Sequence, residues 1–251
     1  AGIFNPLHAM HNSKPIVFKA TVLPPVFSPV LINIEKSFPI LIEIGTTLSE
    51  SINGCLALIK FKNFELLILG VIPLMSFEYL ALPNFDTNNV EEMSYLFEDC
   101  TSLMYLEIPL FKTGNVVDMS GMFLDCSISE SIDLSNFDTS KVKNMSHMFE
   151  GCLYLNSLDL SNFNTEKVED MSSMFKFLYM LNSLRLSSFN TKNVKDMSSM
   201  FQYCTNINEL DLSNFDTSKV KDMSYMFANC LKLNKLDLSK FKTESVETMY
   251  S

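Results

Sequence analysis

Five cysteines of this 251-residue chain fall in one column: Cys100, Cys126, Cys152, Cys204 and Cys230, with a sixth, Cys55, outside it. Cysteine can form bridges, bind metal or attack a substrate, and the spacing of the column discriminates among these. If successive units stack, column neighbours lie about 5 Å apart, the separation of adjacent strands. That is within disulfide reach by Cα distance, but stacked side chains point in parallel rather than at each other. A zinc site needs four ligands converging as a tetrahedron, and a linear column does not supply that. The column therefore reads as buried free thiols packed as small apolar residues, and close to all six cysteines are expected to titrate as free. Of the three histidines, His8, His11 and His147, none has a repeated partner, and His147 reads as a solvated surface residue. The chain has only seven glycines, so no glycine-rich phosphate loop, and no Ser/His/Asp grouping stands out from its serine-rich background. No catalytic constellation, metal site or cofactor site is readable. The chain reads as a non-enzyme.

A second column is acidic: Glu107, Asp133, Asp159, Arg185, Asp211 and Asp237, each set between two apolar residues. Ser135, Ser161, Ser187, Ser213 and Ser239 run two positions further on. On a strand, residues flanking inward-pointing leucines point outward, so this column forms a charged row on an exposed sheet face. Like charges at that spacing are expected to resist ionisation. One reading is solubility with Asp–Ser hydrogen bonding. The other is a binding face for a basic segment of a protein partner. A calcium site is a weaker reading, because no loop carbonyls visibly complete a cage.

The elements that carry these columns follow from a repeat. Phe85, Phe111, Phe137, Phe163, Phe189, Phe215 and Phe241 stand 26 residues apart. A fixed period in this range marks units that bury their apolar faces only by stacking on neighbours. In the unit 137–160, Val142, Met145, Ser146 and Phe149 have the i, i+3, i+4, i+7 spacing of a helix face. Thr139 precedes them where a side-chain oxygen can cap a helix. Leu155, Leu158 and Leu160 follow, the last two alternating with polar residues as in a strand. Twelve of the 16 methionines fill two columns of the helical half, read as core filler where helices pack on a curved sheet. Ser146 and its equivalents face inward, where a small hydroxyl can bond back to its own helix. The expected architecture is an α/β solenoid of 26-residue units, with a parallel sheet on one face and short helices on the other. Leu158–Leu160 are expected to pair with Ile132–Leu134 and Leu184–Leu186.

The spaced leucines are the core of a leucine-rich repeat. The fuller string M-x-x-M-F-x-x-C-x-x-L-x-x-L-D-L-S-x-F-D-T-S-x-V, matched nearly throughout by 145–168 and 197–220, resembles BspA-type leucine-rich-repeat surface proteins, in the branch common in mycoplasma lipoproteins and Gram-positive wall-anchored proteins. Departures are Leu178 for the Cys, Ser129 for a Leu, Arg185 for the Asp and Pro109 for the Ser after the strand. The resemblance covers about 74–251. It implies an extracellular or cell-surface leucine-rich repeat array used for adhesion or other protein–protein interaction, with a host surface or matrix protein as partner. It supplies no catalytic residues.

Composition bounds the rest. The net charge of −10 argues against nucleic acid or an acidic membrane surface as the main partner. Residues 1–72 hold five Lys, four Glu and six of the nine prolines, whereas the other 14 basic and 25 acidic residues follow. The chain divides there into an N-terminal segment, 1–72, and the repeat array, 73–251. The N-terminal segment reads as a cap, a degenerate first unit, a separate strand-rich piece or wrongly translated sequence. Leu66–Met75 is apolar but too short to span a bilayer, so no membrane insertion is expected. No signal peptide is readable, and the array stops in mid-repeat, as expected for a piece of a longer protein. A passive spacer that projects another domain is the alternative to recognition. Among the exposed strand positions, Tyr105, Ser131, Ser157, Ser183, Glu209 and Lys235 vary, while the acidic and serine columns hardly change.

Overall fold

A computed structural model of the chain describes residues 78–82 and 87–250, together with the backbone of four earlier strands. These are β1 (Ile16–Ala20), β2 (Ile40–Ile44), β3 (Ala57–Phe61) and β4 (Phe64–Ile68). His8, His11, Cys55 and Phe85 lie outside the described residues. Seven short strands follow: β5 (Tyr79–Ala81), β6 (Val90–Glu92), β7 (Tyr105–Glu107), β8 (Ser157–Asp159), β9 (Ser183–Arg185), β10 (Glu209–Leu210) and β11 (Lys235–Leu236).

No helix occurs among the described residues, which corrects the expected helical half. The reason lies in the backbone bonding of that half. The Met145 N–H donates to the Asp170 carbonyl at 3.0 Å, His147 to Ser172 at 2.9 Å, Phe149 to Met174 at 3.0 Å and Gly151 to Lys176 at 2.9 Å. Alternate amides thus bond to the next unit rather than four residues back, as a helix would require. Two of these residues, His147 and Gly151, have φ of 58° and 73°. The left-handed region admits single residues but does not propagate within a right-handed helix. Equivalent residues repeat this in the other units, including Tyr95 and Asp99, Ser173 and Phe177, and Ser199 and Tyr203. The half is a chain of tight turns, with Met148 N–H on the Met145 carbonyl and Cys152 N–H on Phe149. Three-residue turns bring residues 3 and 6 positions apart to the same side, which buries Val142, Met145 and Met148, and Phe149 is buried as well in the stacked file of rings.

The units nevertheless lie side by side in the expected register. Parallel bridges run through Glu92, Asp118, Asn144, Asp170, Asp196, Asp222 and Thr248 without a gap. Six threonines at the 26-residue spacing each staple two units. In the cases of Thr87, Thr113, Thr139, Thr165, Thr191 and Thr217, the hydroxyl donates to a carbonyl 25 residues on at 2.8–3.1 Å. The same oxygen accepts that residue's N–H at 2.6–2.8 Å. The expected helix cap is therefore an inter-unit clasp, buried to 1 % exposure or less. Phenylalanines of the turn half form a stacked file, Phe97–Phe123–Phe149–Phe175–Phe201–Phe227, with ring centroids 5.4–6.1 Å apart.

The leucine half is less regular than expected. It forms pieces of parallel sheet rather than one sheet. β5 pairs with β7, β8 with β9, and β10 with β11, all at a 26-residue offset. Leu158 faces Leu184 as expected, but Ile132–Leu134 forms no strand. There, Glu130 bridges Leu155 instead, at an offset of 25. Ser129 explains the slip. It cannot fill the leucine pocket, Ile128 one residue earlier is buried at 2 % in its place, and the chain re-enters phase through Glu130 at φ 66°. At the N-terminal end, β1 pairs with β2 and β2 with β5, extending the parallel sheet in the order β1-β2-β5-β7, while β3 lies antiparallel between β4 and β6.

The cysteine column is mostly as read. Cys126, Cys152, Cys204 and Cys230 are free. Burial pushes the Cys152 thiol up to about 12 and that of Cys230 to about 11. Each of the four S–H groups donates to a phenylalanine carbonyl 29 residues earlier, as in Cys152 on Phe123 at 3.1 Å. Cys100 differs: it is disulfide-bonded, so the expectation of six free thiols is corrected.

Candidate functional site

The acidic row lies on the leucine half. Glu107, Asp133, Asp159, Arg185, Asp211 and Asp237 are all exposed, while Leu158 and Leu210 beside them are buried. Glu107 ends β7, Asp159 ends β8 and Arg185 ends β9, where β8 and β9 place Asp159 opposite Arg185. The guanidinium reaches the Asp159 carboxylate at 3.2 Å. Asp133 occupies the slipped unit and stands outside any strand.

Each aspartate of the row also turns the chain. The Ser135 N–H donates to Asp133 Oδ1 at 3.0 Å, Ser161 to Asp159 at 3.0 Å, Ser213 to Asp211 at 3.0 Å and Ser239 to Asp237 at 2.8 Å. A side-chain oxygen accepting the N–H two residues on is an Asx turn. These serine bonds hold all four carboxyls below the usual carboxylate range. The expectation that mutual repulsion makes them resist ionisation is therefore corrected. A hydrogen bond to the charged form outweighs repulsion between charges that water screens. These four aspartates are held in their ionised form. At its N-terminal end the Tyr79 phenol, pushed up to about 12 by burial and by its hydrogen bond to Glu107, remains protonated.

The same device recurs twice more per unit. Asp138 accepts Ser140 N–H at 3.0 Å, and Asn144 accepts Ser146 N–H at 3.0 Å. Ser146 Oγ also donates to Asn144 at 2.8 Å, so the inward serine closes a turn rather than bonding to a helix. The spacing Asp/Asn-x-Ser was the available signal for all three corners.

One cluster escaped the sequence reading. Exposed Leu153 and Tyr154 precede the row in one unit, and Tyr179 and Met180 occupy the same places in the next. Phe177, Tyr179 and Tyr203 meet with ring centroids 5.1–6.2 Å apart. His147 pairs with Glu150, which also meets Lys176 at 3.1 Å, and the Lys176 ammonium lies 4.8 Å over the Phe177 ring. His147 is thus hydrogen-bonded to Glu150 rather than solvated alone, and that bond raises its pKa.

Among the described residues no group of His, Cys, Asp or Glu could hold a metal ion, and no helix is long and apolar enough to cross a membrane. No curated protein and no solved structure matches the chain. Residues 73–184 and 154–251 each match a family model described as Mycoplasma protein of unknown function, DUF285. The two matches together span 73–251, well over half of the sequence, and the chain belongs to this DUF285 family of Mycoplasma proteins.

Proposed function

We propose that this chain is a non-enzymatic recognition module, a BspA-type leucine-rich-repeat solenoid displayed at the cell surface or secreted. It binds a protein partner, a host-surface or matrix protein, through the exposed face of its leucine half. The observation that carries the reading is the row of ionised, exposed carboxylates at Asp133, Asp159, Asp211 and Asp237. Fixed negative charge at regular spacing steers a basic partner and sets its register. Membership of a Mycoplasma family whose matched residues are those of the repeat array agrees with a surface role. The second reading is a passive spacer, favoured by the Asx turns, which account for the recurrence of Asp and Ser without any partner.

Replacing Asp133, Asp159 and Asp211 together with Asn separates the two. The amide oxygen still accepts the serine N–H, but the charge is gone. Recognition predicts that binding to host cells and to immobilised matrix proteins falls about tenfold, and that wild-type binding weakens as salt rises. Equal binding by both proteins at low and high salt would favour the spacer. The carboxyls titrate below their unfolded values, so their stabilisation is complete above the ordinary carboxylate range and is lost as pH falls through the lowered values. The Asn variant is accordingly slightly less stable than wild type at neutral pH and equal to it in acid.

A further inference from the structure

We infer that the recognition face includes an apolar anchor site at the junction of units 137–162 and 163–188, and that its occupant is an extended protein segment carrying a large apolar side chain flanked by basic residues. The inference rests on the proposed recognition function and names the partner's chemistry. The array is regular almost everywhere, so a cluster of departures in one place is informative. At the positions of Leu153–Tyr154 and Tyr179–Met180, other units carry Thr101–Ser102, Ser127–Ile128, Thr205–Asn206 and Leu231–Lys232, so exposed apolar residues fill both places in two successive units here. The unit 163–188 also has Phe177 where its neighbours have Gly151 and Tyr203, and Leu178 in the cysteine column.

The departures form one surface. Asn182 donates to Asn156 Oδ1 at 2.5 Å, and Thr205 donates to the Tyr179 carbonyl at 3.2 Å, so this edge stacks at the 26-residue offset. Tyr154 and Tyr179 therefore lie in adjacent units, with Met180 beside Tyr154. Tyr154 is 55 % exposed and Met180 54 %, values that no burial requirement of the fold explains. Phe177 meets both Tyr179 and Tyr203 and has the Lys176 ammonium over its ring, which joins these side chains into one cluster. An exposed apolar patch with a polar rim marks an interaction site, and aromatic anchors dominate interface energetics.

Charge decides the class of occupant. The chain leaves the patch directly into the acidic row, where Glu130 and Asp133 stand on one side and Asp211 on the other, all exposed. Asp159 and Arg185 neutralise each other, and the Lys176 ammonium beside Phe177 is paired with Glu150, so the unpaired charge around the patch is that of the carboxylates. A segment whose apolar residue sits on Tyr154, Tyr179 and Met180 therefore has its neighbours over carboxylates. Basic flanks complement that surface and acidic flanks are repelled.

The test uses the full chain and labelled synthetic peptides in fluorescence anisotropy. One peptide carries Trp between lysines, a second has the Trp replaced by Ala, and a third has the lysines replaced by Glu. The first peptide is expected to bind, with each change weakening it about tenfold. The combined variant Tyr154→Ser, Tyr179→Ser, Met180→Ser, with fold checked by circular dichroism, is expected to bind the Trp and Ala peptides equally while keeping the salt dependence. Failure of every peptide to bind, equal affinity for the Trp and Ala peptides in wild type, or an unaltered Trp preference in the triple variant overturns the inference. Wild-type self-association that the triple variant abolishes also overturns it, by making a second copy the occupant. If the Asp→Asn variant loses cell binding while the apolar variant retains all of it, the anchor site fails and the recognition function stands.

Discussion

The two halves of each unit solve the same stacking problem by different means. In the turn half, Val117 N–H bonds Glu91, Lys143 bonds Val117, Glu169 bonds Lys143, and Lys195 bonds Glu169, each at 2.8 Å. The bridge series there is unbroken, threonines clasp neighbouring units, and Val, Met and Phe columns are almost entirely dry. In the leucine half, sheet pairing stops and restarts, one unit slips, and Leu106, Leu184 and Leu236 are only partly buried. The difference separates two duties. The turn half holds the units together, and its regularity leaves little room for variation. The leucine half carries the exposed charges and the apolar cluster, and there the repeat tolerates Ser129, Arg185 and Met180. Rigid backing with a variable face is how scaffolds commonly present binding residues.

Large-to-small substitutions probe that contrast most strongly. Phe175→Ala removes a fully buried ring from the stacked file and should destabilise the chain by about 3–5 kcal/mol. Leu184→Ala, at a partly buried site, should cost about half as much or less. Comparable losses measured by denaturant unfolding would erase the distinction between the halves. Substitution of a polar residue isolates the clasp. Thr165→Val keeps the shape but orphans the Asn190 N–H and carbonyl, which the hydroxyl satisfies at 2.8 and 3.1 Å. The expected cost is about 2–4 kcal/mol. Ser161→Ala, on the exposed face, should change stability by no more than about 0.5 kcal/mol. If the two substitutions shift the unfolding midpoint equally, the threonine column has no special role.

Much of this was legible in the residues, and the failures have identifiable causes. The 26-residue register, the buried columns and the parallel offset followed from Phe, Met and Leu spacing alone. The helix did not survive because i, i+3, i+4, i+7 spacing reports which residues share a side, and successive tight turns share sides as a helix does. Left-handed residues are invisible when Ser173, Phe177 or Tyr203 rather than glycine adopts them. Gly151 does fit the pattern, since a Cβ there would meet Asp125 Oδ1 at 1.9 Å. The Asp–Ser hydrogen bonding was legible in the residues two positions apart; what failed was the expectation of mutual repulsion, which did not set those bonds against it. The apolar cluster was missed because it comprises departures from the repeat, spread over two units and joined only by stacking.

The central claim is that the turn half is joined between units by backbone hydrogen bonds rather than coiled into helices. Through-hydrogen-bond scalar couplings, measured by NMR on the deuterated full chain, read this directly. The account predicts that the amides of Met145, Met171 and Met197 couple to the carbonyls of Asp170, Asp196 and Asp222, which they meet at 3.0 Å. Coupling of those same amides to carbonyls four residues earlier would restore the helices and contradict the account.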